Sequence, residues 1–434
     1  MAGTPRGWRV LAPLRFREFR LLIAAVSIFI FAEGMWTVVM ALQVIALADD
    51  PAALSLVATC LAGGMLAFIL IGGIVADRVS QRAIIITVEA VNLAAVGAVA
   101  ALGMLGSLRL WHMAVASAVL GAGAAFFFPA YSAYLPRILP PQNLLAANGI
   151  EGMIRPTLGQ AIGPAFAGIL VGATFPAWGS TAVAVLFAAG LVLLVALRPE
   201  SAENLVDDAD RDRPHPLADL RDGFLFVLRT RWLLWTLLFA SMWVLLALGP
   251  MDVLLPFIAR QRFVHGGQAY GFVLAAYGAG GALGALAVST RPLPRRYLTV
   301  MMMLWSVGSL PLAVVGATRS FPVMAISLFI VGLASGAGMV IWGTLLQRRV
   351  PAHMLGRVAS LDFFVSLSFM PLSMALAGPL SKVVPVQLIF AAAGTLPILL
   401  AAIALAAARM PRDEIAHPLA ENHGGTSVTA GGSA

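Results

Sequence analysis

The fold is decided by residues 21–47, LLIAAVSIFIFAEGMWTVVMALQVIAL, a run whose only charged side chain is Glu33. The run is longer than the roughly 20 apolar residues that a helix needs to cross a bilayer. Glu33 would then lie near the middle of the hydrocarbon layer, where a charged side chain costs on the order of 3 kcal/mol on insertion scales. We therefore expect Glu33 to face the protein interior, either as a substrate or proton site or as a packed, neutral glutamate.

The composition of the whole chain leads to the same class. The 434 residues are 60% hydrophobic and 11% charged, whereas an ordinary soluble domain is about half apolar and about a quarter charged. A bilayer offers no water to an open backbone, so each spanning segment must be helical. The sequence predicts an all-α polytopic membrane protein with twelve transmembrane helices, at 19–47, 52–76, 83–105, 111–134, 152–172, 178–197, 232–259, 269–290, 297–317, 321–346, 358–381 and 385–408.

The basic residues indicate orientation rather than a nucleic-acid partner. When alternate connections are assigned to alternate sides of the membrane, most of the 28 Lys and Arg residues fall on the side that holds both termini. Cytoplasmic loops carry an excess of Lys and Arg, so both termini are predicted to be cytoplasmic. The arginine-rich start shows no cleavage site and leads into a segment too long for a signal peptide. It is expected to remain as the first span of a multi-pass protein of the cell membrane.

A long polar insertion divides the chain into two halves. Residues 198–231 are rich in proline and in charges of both signs, and they predict a cytoplasmic linker between six-helix halves at 1–197 and 232–410. The later part of the linker, PLADLRDGFLFVL, is compatible with an amphipathic helix on the membrane surface and equally with a solvated segment. The tail at 411–434 has the composition of disorder.

The two halves also resemble each other in sequence. LPRILPPQNLLAANG at 135–149 and LQRRVPAHMLGRVAS at 346–360 follow the fourth and the tenth predicted spans. Pro141 and Pro351 are in register, and each is followed four residues later by leucine. Duplication of a six-helix unit is typical of transporter folds. The matching loops therefore favour a transporter built from two related halves.

The loop after the second span carries a motif, GGIVADRVSQR at 72–82. It resembles the signature of the major facilitator superfamily, in which a glycine, three residues, Asp-Arg and a later basic residue follow in order. The resemblance implies that the glycine permits close helix approach. It also implies that the aspartate meets the N-terminal dipole of the eleventh helix near Arg357 and latches the cytoplasmic side. Ser80 and Gln81 depart from the family pattern. The predicted latch residues are Gly73, Asp77, Arg78 and Arg82.

The fifth span contains GQAIGPAFAG at 159–168, which resembles the antiporter motif of the same superfamily. Small residues allow helices to approach closely, and proline removes one backbone hydrogen bond and bends the helix. By spacing alone, an export motif and passive helix packing are equally good readings. Together with the loop motif, the resemblance implies export by antiport. The matching residues are Gly159, Gly163, Pro164 and Gly168, with Ala167 in place of one glycine.

A narrower resemblance covers most of the first half. PLRFREFRLL, PAYSAYLPRILPPQNLLAANG and the following Gly-Pro helix are similar to the branch of macrolide efflux proteins and the enterobactin exporter. The resemblance implies a major facilitator fold and efflux of small amphiphilic molecules of the drug, macrolide or siderophore class. It implies exchange for protons by alternating access, the activity that underlies multidrug resistance. Many drug antiporters carry an arginine in the fourth span, and this chain has none there, so their arginine-dependent proton scheme is not carried over.

Few ionisable side chains lie inside the predicted spans. Glu151 and Arg155 are four residues apart, which places them on one helix face with the acid N-terminal. A structural ion pair is favoured there over direct coupling. Glu89 and Asp362 are expected to support charge networks near the cytoplasmic ends of the two halves. Glu33 has no opposite charge nearby in sequence, so it is the first candidate for proton coupling, with Glu89 or Asp362 as replacements. A cationic substrate that binds Glu33 directly is the other reading.

Aromatic side chains complete the predicted site. Trp36 and Thr37 are expected on the helix face of Glu33. In the superfamily the first, fourth, seventh and tenth spans line a central cavity, which implies that aromatics there contact bulky amphiphilic ligands. The alternative is that they pack in the core or face lipid. The candidate proton-coupling and substrate residues are Glu33, Trp36, Thr37, Phe127, Tyr131, Trp243 and Trp342.

Two other functions remain open from the sequence. A nutrient or metabolite uniporter or symporter would share the fold, although the motif at 159–168 disfavours it. The membrane subunit of an ATP-driven pump, or a membrane-bound enzyme, is less favoured. The sole lysine, Lys382, lies outside any phosphate-binding Gly-Lys-Ser/Thr loop, and no nucleophile and base occur at a recognisable spacing. The six histidines show no paired metal spacing. We therefore expect a monomeric transporter of small molecules and protons, without cofactor or metal.

Overall fold

A computed structural model describes residues 12–76, 79–198, 216–291, 293–351 and 354–419. Across these described residues, twelve helices are long and apolar enough to cross a membrane, and no strand occurs. The predicted all-α fold with twelve spans is therefore confirmed. The spans are numbered 1 to 12 in chain order, with spans 1–6 in the first half and spans 7–12 in the second.

The helices of the first half begin with a long first span that contains Glu33. Span 5 changes to π-helical geometry where Pro156 follows Arg155, because proline donates no backbone hydrogen bond to the regular ladder. The helices are Arg17–Leu47, Pro51–Ala76, Gln81–Met104, Leu110–Ile138, then Pro141–Ile154 continuing through the π-helical segment Arg155–Ile162 into Gly163–Ala173, and finally Pro176–Val195.

The helices of the second half are more often interrupted. Span 7 also changes to π-helical geometry at a proline, Pro250. Span 11 breaks between Leu367 and Met370. The helices are Arg231–Gly249, continuing through the π-helical segment Pro250–Leu254 into Leu255–Arg262, then Gly266–Ser289, Tyr297–Val307 with Pro311–Ala317, Phe321–Arg349, Leu355–Leu367 with Met370–Val383, and Val386–Ala407.

The first and fifth helices of each half pack backbone against backbone. A Cβ atom added to Gly34 of span 1 would lie 2.2 Å from the carbonyl oxygen of Gly159 in span 5. In the second half, a Cβ atom added to Gly249 of span 7 would lie 2.2 Å from the carbonyl oxygen of Ser373 in span 11. The same pair of helices thus makes the same kind of contact in both halves, as a duplicated unit requires.

The two halves are joined at one face of the molecule. We call the face with the start of span 1 the terminal face, and the opposite face the distal face. Three polar links between the halves lie at the distal face. These links are Asp49 with Arg260 at 3.1 Å, Asp50 with Lys382 at 2.8 Å, and the backbone N–H of Gly378 donating to the Ser55 hydroxyl at 2.7 Å.

The buried core shows the same asymmetry between the faces. One cluster extends from the first half into the distal ends of the second half, where it includes Val253 and Phe390. A separate cluster around Leu237, Tyr297 and Leu345 belongs to the second half alone and lies toward the terminal face. Among the described residues, the halves therefore share a core at the distal face and have separate cores toward the terminal face. We call the space between these separate cores the cleft.

Two segments outside the spans differ from expectation or refine it. The later part of the linker is helical at Pro216–Arg229, and Asp222 of this linker helix pairs with Arg357 of span 11 at 3.6 Å. The tail predicted to be disordered begins with a helix, Met410–Ala416, so that part of the prediction is wrong. The carboxylate of Glu414 is fully buried and accepts hydrogen bonds from the first backbone N–H groups of span 9, which fixes this helix in place. Residues 420–434 lie outside the described residues.

Candidate functional site

In the middle of span 1 the only exposed residues are two polar ones. From Phe29 to Ile45 the helix is buried, except that Glu33 and Thr37 are exposed and Phe31 is half-buried. Span 1 packs against spans 2, 4, 5 and 6. Glu33 and Thr37 therefore open into the cleft rather than toward lipid. The Thr37 hydroxyl donates to the backbone carbonyl of Glu33 at 3.2 Å.

Glu33 has one basic and one acidic neighbour from other spans. Arg155, at the start of the π-helical segment of span 5, attracts the Glu33 carboxylate, and Glu89 of span 3 repels it. The sequence analysis found no opposite charge near Glu33 because Arg155 is distant along the chain. The structure thus brings two members of the predicted charge set, Arg155 and Glu89, near Glu33.

Glu89 lies in a recess between spans 3 and 4. Its side chain is 3% exposed and lies beside the amide of Asn92, one turn further along the helix. Among the described residues, one oxygen of each side chain has no hydrogen-bond partner. A Cβ atom added to Gly123 would lie 2.7 Å from the Asn92 oxygen, so glycine makes room for this amide. Asn92 was missed from the sequence; its i+3 spacing from Glu89 was the available signal. Glu89 thus lies within electrostatic range of Glu33.

The expected ion pair of span 5 is present and is covered by aromatic rings. Arg155 lies 3.5 Å from Glu151, and its guanidinium carbon lies 4.8 Å from the centre of the Phe128 ring. Tyr131 is buried, and its hydroxyl is within electrostatic range of both charges. Phe127 stacks on Tyr131, with ring centres 6.0 Å apart. Span 4 therefore contributes a wall of aromatic groups beside the charged residues of span 5.

The antiporter motif positions span 5 against span 1 and against the second half. Gly159 meets Gly34, the residue after Glu33, and a Cβ atom on Gly163 would lie 2.8 Å from the Phe31 carbonyl oxygen. On the distal side, a Cβ atom on Gly168 would lie 3.0 Å from the Cα of Gly271 in span 8. The motif glycines therefore hold Glu33 in place and contribute to the contact between the halves.

The latch motif is only partly within the described residues. Asp77 and Arg78 lie outside them. A Cβ atom added to Gly73 would meet nothing within 4 Å, whereas one on Gly72 would lie 2.1 Å from the Ala125 carbonyl oxygen. The close helix approach therefore falls on Gly72 and not on the motif glycine, which corrects the expectation. Arg82 donates hydrogen bonds of 3.0 and 2.9 Å to backbone carbonyls at the end of span 6, where a basic group also opposes the negative end of the helix dipole.

The tryptophans predicted from the second half lie in different surroundings from those expected. Trp342 is 5% exposed and donates its indole N–H to Asp362 at 2.9 Å. Asp362 also accepts a hydrogen bond of 3.1 Å from Ser366. Trp243 is half-buried and donates to the Ser309 hydroxyl at 2.8 Å. These contacts place Trp342 in the core of the second half in this conformation and leave Trp243 partly accessible.

Trp36 is the remaining predicted site residue. It is 3% exposed, and among the described residues its indole N–H has no hydrogen-bond partner. A buried donor without a partner is costly and uncommon. Trp36 follows Glu33 by three residues, so it lies on the adjoining helix surface behind the accessible carboxylate.

Comparison with known proteins defines the class to which this arrangement belongs. The model of the Major Facilitator Superfamily matches residues 22–368. The chain belongs to this superfamily.

More specific similarity exists to a curated exporter. Over 354 residues the chain is 27% identical to the "Enterobactin exporter EntS" of Escherichia coli O81 (strain ED1a), covering 79% of this chain and 80% of that protein. Among solved structures, the nucleoside transporter NupG aligns with a TM-score of 0.67 at 14% identity, covering 90% of this chain and 98% of that one. A bacterial homolog of the human lysosomal transporter Spinster, in an inward-facing and unoccupied conformation, aligns with a TM-score of 0.65 at 15% identity, covering 95% and 99%. At these identities the solved structures support the fold alone.

Proposed function

We propose that the protein exports small amphiphilic molecules by proton antiport, with Glu33 as the residue that couples the two movements. The observation that carries the proposal is the environment of Glu33. It is an accessible carboxylate in the middle of an otherwise buried membrane span, with Arg155 and Glu89 as neighbours. Acids at such positions mark proton or substrate paths in membrane proteins.

Alternating access supplies the mechanism of coupling. The halves meet at the distal face and leave a cleft at the terminal face, and an opposite arrangement would carry the site across the membrane. A proton and a cationic or polar substrate group would compete for Glu33, because one carboxylate cannot satisfy both. Each proton that enters down a potential of 100 mV contributes about 2.3 kcal/mol toward export of the substrate.

The direction of transport and the substrate class rest on the antiporter motif and on the relative. Gly159 and Gly163 form the contact beside Glu33, and the similar curated protein is named an exporter of enterobactin. We therefore extend export to this chain, with siderophore-like and drug-like amphiphiles as the substrate class. Phe127, Tyr131 and Phe128 would supply the aromatic surface for such ligands.

The proposal includes the oligomeric state of the protein, its membrane and its orientation. We place it as a monomer in the plasma membrane, or in the inner membrane where there are two, with both termini and the terminal face in the cytoplasm. Most of its basic residues would then lie on the cytoplasmic side, as the positive-inside rule requires. In this orientation the cleft is open to the cytoplasm, from which an exporter takes its substrate.

The test is proton movement in proteoliposomes under an imposed pH gradient. A catecholate siderophore, a macrolide and a cationic dye are added in turn, and wild type is compared with Glu33→Gln. We expect substrate-dependent proton flux in wild type and a loss of at least about tenfold in the variant, because glutamine cannot carry a proton. Glu33→Asp, which keeps a carboxyl group, should retain a measurable part of the flux.

Two controls distinguish coupling from general damage. Asp362→Asn changes another intramembrane acid that already has two hydrogen-bond donors, and it should keep most of the flux. Glu89→Gln tests the acid whose charge interacts with that of Glu33. Unchanged flux in Glu33→Gln would transfer the coupling role to Glu89 or Asp362. Substrate movement without any proton flux would favour a uniporter and overturn antiport.

A further inference from the structure

A second acid lies in span 7 with surroundings that the proposed function does not use. Every residue from Gly249 to Ala259 is buried except Asp252, which is partly accessible. A helix that is buried on all sides has no face toward lipid, so the accessible part of Asp252 borders an internal space. Asp252 belongs to the π-helical segment Pro250–Leu254, and such segments often occur at functional sites.

Asp252 differs from Glu151 and Asp362 by its lack of partners. Glu151 pairs with Arg155, and Asp362 accepts two hydrogen bonds. Among the described residues, the Asp252 carboxylate accepts no hydrogen bond and pairs with no basic side chain. A structural acid inside a membrane is normally paired or bonded, and an unpaired one is costly to keep.

The titratable groups that face Asp252 come from span 8. Tyr270 is fully buried and Tyr277 is half-buried, and both feel the charge of Asp252. The two tyrosines are seven residues apart, which places them on one face of the helix. Their hydroxyl groups are neutral near physiological pH. Span 8 therefore presents hydroxyl groups and no counter-charge to Asp252.

The other elements around the π-helical segment hold few charges, and those are engaged elsewhere. The segment packs against spans 2, 11 and 12 and against the rest of span 7. The helices of spans 2 and 12 contain no charged residue, although span 2 holds the thiol of Cys60. The remaining charged groups on these elements toward the distal face are Lys382, which pairs with Asp50, Arg260, which pairs with Asp49, and Arg262, which donates to the carbonyls of Val315, Gly316 and Thr318.

The position of Asp252 is nearer the distal face than that of Glu33. Asp252 precedes the helix end at Arg262 by a length of about 15 Å, and Glu33 precedes the end at Leu47 by about 21 Å, at a rise of 1.5 Å per residue. The π-helical segment is also in contact with span 2 of the other half. Asp252 thus lies just inside the region where the halves close, whereas Glu33 lies deeper in the cleft.

We infer that Asp252 is a second proton-binding residue, and that its protonation permits the halves to close at the distal face. Closure surrounds Asp252 with apolar groups and two neutral tyrosines, and such surroundings disfavour a charged carboxylate that has no partner. Opening readmits water, which removes that cost. The closed distal face therefore binds the proton more tightly than the open one, and by linkage low pH favours closure.

This inference deepens the proposed function and rests on it for its place in the transport cycle. After substrate leaves at the distal face, a proton from the outer medium binds Asp252 and the distal face closes. The proton then leaves through the cleft at the terminal face, and the charge left on Asp252 favours the next opening. No covalent bond other than the O–H bond of the carboxyl group forms or breaks.

The test measures the distal face directly and requires no substrate. Spin labels are attached at Leu105→Cys in the first half and Val264→Cys in the second, in a Cys60→Ser background. Both positions are exposed, at 78% and 97%. The full chain is placed in nanodiscs, and the distance distribution between the labels is recorded by double electron–electron resonance from mildly acidic to mildly alkaline pH. In the wild-type background we expect the population with the longer distances, which represents the open distal face, to increase as the pH is raised.

Asp252→Asn should stay closed over the whole range, with a closed-to-open ratio at alkaline pH at least about tenfold above that of the wild-type background. Asp252→Glu should regain the pH dependence. If the asparagine variant does not fold, Asp252→Ser removes the same proton site with a smaller side chain. Asp362→Asn is the matched control, since Asp362 lies in the same half and has partners, and it should behave as the wild-type background does.

The outcomes separate this inference from the proposed function. A pH-dependent distal face in Asp252→Asn would overturn the inference. If the pH dependence of the distal face were lost in Glu33→Gln and kept in Asp252→Asn, the inference would also be overturned. The whole proton response would then belong to Glu33. Failure of proton-coupled transport in proteoliposomes, with the distal face still responding to pH through Asp252, would overturn antiport and leave the inference standing.

Discussion

Each half has an acidic residue on its first helix, and the side chains around that residue differ between the halves. In the first half Glu33 is exposed to the cleft and has Arg155 and Glu89 as neighbours. In the second half Asp252 is only partly accessible and faces the hydroxyl groups of Tyr270 and Tyr277. Both acids lie close to the glycine at which the first helix packs against the fifth. The glycine contact between the first and fifth helices is therefore the same in both halves, while the electrostatic surroundings of the two acids differ.

The difference shows which acids have a structural role. Asp362 is partly accessible, as Asp252 is, but its carboxylate is held by hydrogen bonds from Trp342 and Ser366. Bonds of this kind fix an acid in one orientation, whereas an accessible acid with no fixed bond can exchange protons with water. The presence of hydrogen bonds or ion pairs, rather than depth in the membrane, therefore separates the structural acids from the candidates for coupling.

The largest loss of stability is expected when the glycine contact that the two halves share is disrupted. Gly34→Ala and Gly249→Ala each place a Cβ atom 2.2 Å from a backbone carbonyl oxygen. Overpacking against backbone costs about 1–3 kcal/mol or more, so both variants should unfold at lower temperature. Unfolding can be followed with a thiol-reactive fluorescent dye, because Cys60 is the only cysteine and is partly buried. Equal losses would support the equivalence of the two contacts.

A matched substitution provides the control for this comparison. Gly97 lies inside the helix of span 3, and a Cβ atom there would meet nothing within 4 Å. Gly97→Ala should therefore stabilise the protein by up to about 1 kcal/mol, the difference in helix propensity between the two residues. If only one of Gly34→Ala and Gly249→Ala lowered the unfolding temperature, the equivalence of the two halves would be lost.

A smaller effect is expected from Trp342→Phe, which removes one partner of Asp362. The indole N–H donates to the Asp362 carboxylate, and loss of a hydrogen bond to a charged group costs about 1.5–3 kcal/mol. Because Trp342 is buried in the second half, substrate affinity should stay within about twofold of wild type. Thermal unfolding and equilibrium binding of the transported substrate measure the two effects separately.

Asp362→Asn controls for the charge in this prediction. The asparagine oxygen can still accept the hydrogen bond from Trp342, so the loss of stability should be smaller than in Trp342→Phe. A large loss of substrate affinity in Trp342→Phe with unchanged stability would contradict the buried position and return Trp342 to the list of substrate-binding residues.

Much of the fold could be predicted from the sequence because lipid leaves few choices. Apolar runs of spanning length must be helices, and the twelve spans were identified from length and composition alone. The motif at 159–168 also indicated a close contact correctly, since close packing of spans needs small residues. Its partner, Gly34, was not predicted, because a contact surface read from one helix does not name the helix that meets it.

The surroundings of the acids were less predictable. Glu33 seemed isolated because Arg155 and Glu89 approach it only through the packing of three spans. Trp342 was expected in a cavity because its span lines one in the superfamily, but the rotation of the helix about its axis directs it into the core. Helix rotation depends on the sum of many contacts, and no short motif encodes it. The helix Met410–Ala416 was missed because its stability comes from Glu414 docking on span 9 rather than from its own composition.

The smallest effect is expected from the exposed ion pair between Asp50 and Lys382, which also joins the halves at the distal face. The hydrogen bond from Lys382, aided by one from the backbone N–H of Ala52, holds the pKa of Asp50 below its ordinary value. A lowered pKa in the closed state means that the pair favours closure above the ordinary pKa of about 3.9 and loses its effect as the pH falls through the lowered value. Asp50 therefore stays charged from mildly acidic pH upward, and its titration cannot produce the pH response assigned to Asp252.

Lys382→Met removes this pair and separates the two contributions. Exposed ion pairs contribute little and are screened by salt, so the closed-to-open ratio of the distal face should change by less than about fivefold at low salt. The difference from wild type should disappear at high salt, since the lost attraction is then screened in wild type as well. The pH dependence should remain, because Asp252 lies among buried groups that salt does not reach. If Lys382→Met abolished the pH dependence, the distal face would respond through its surface charges, and the contrast between an exposed pair and an unpaired buried acid would fail.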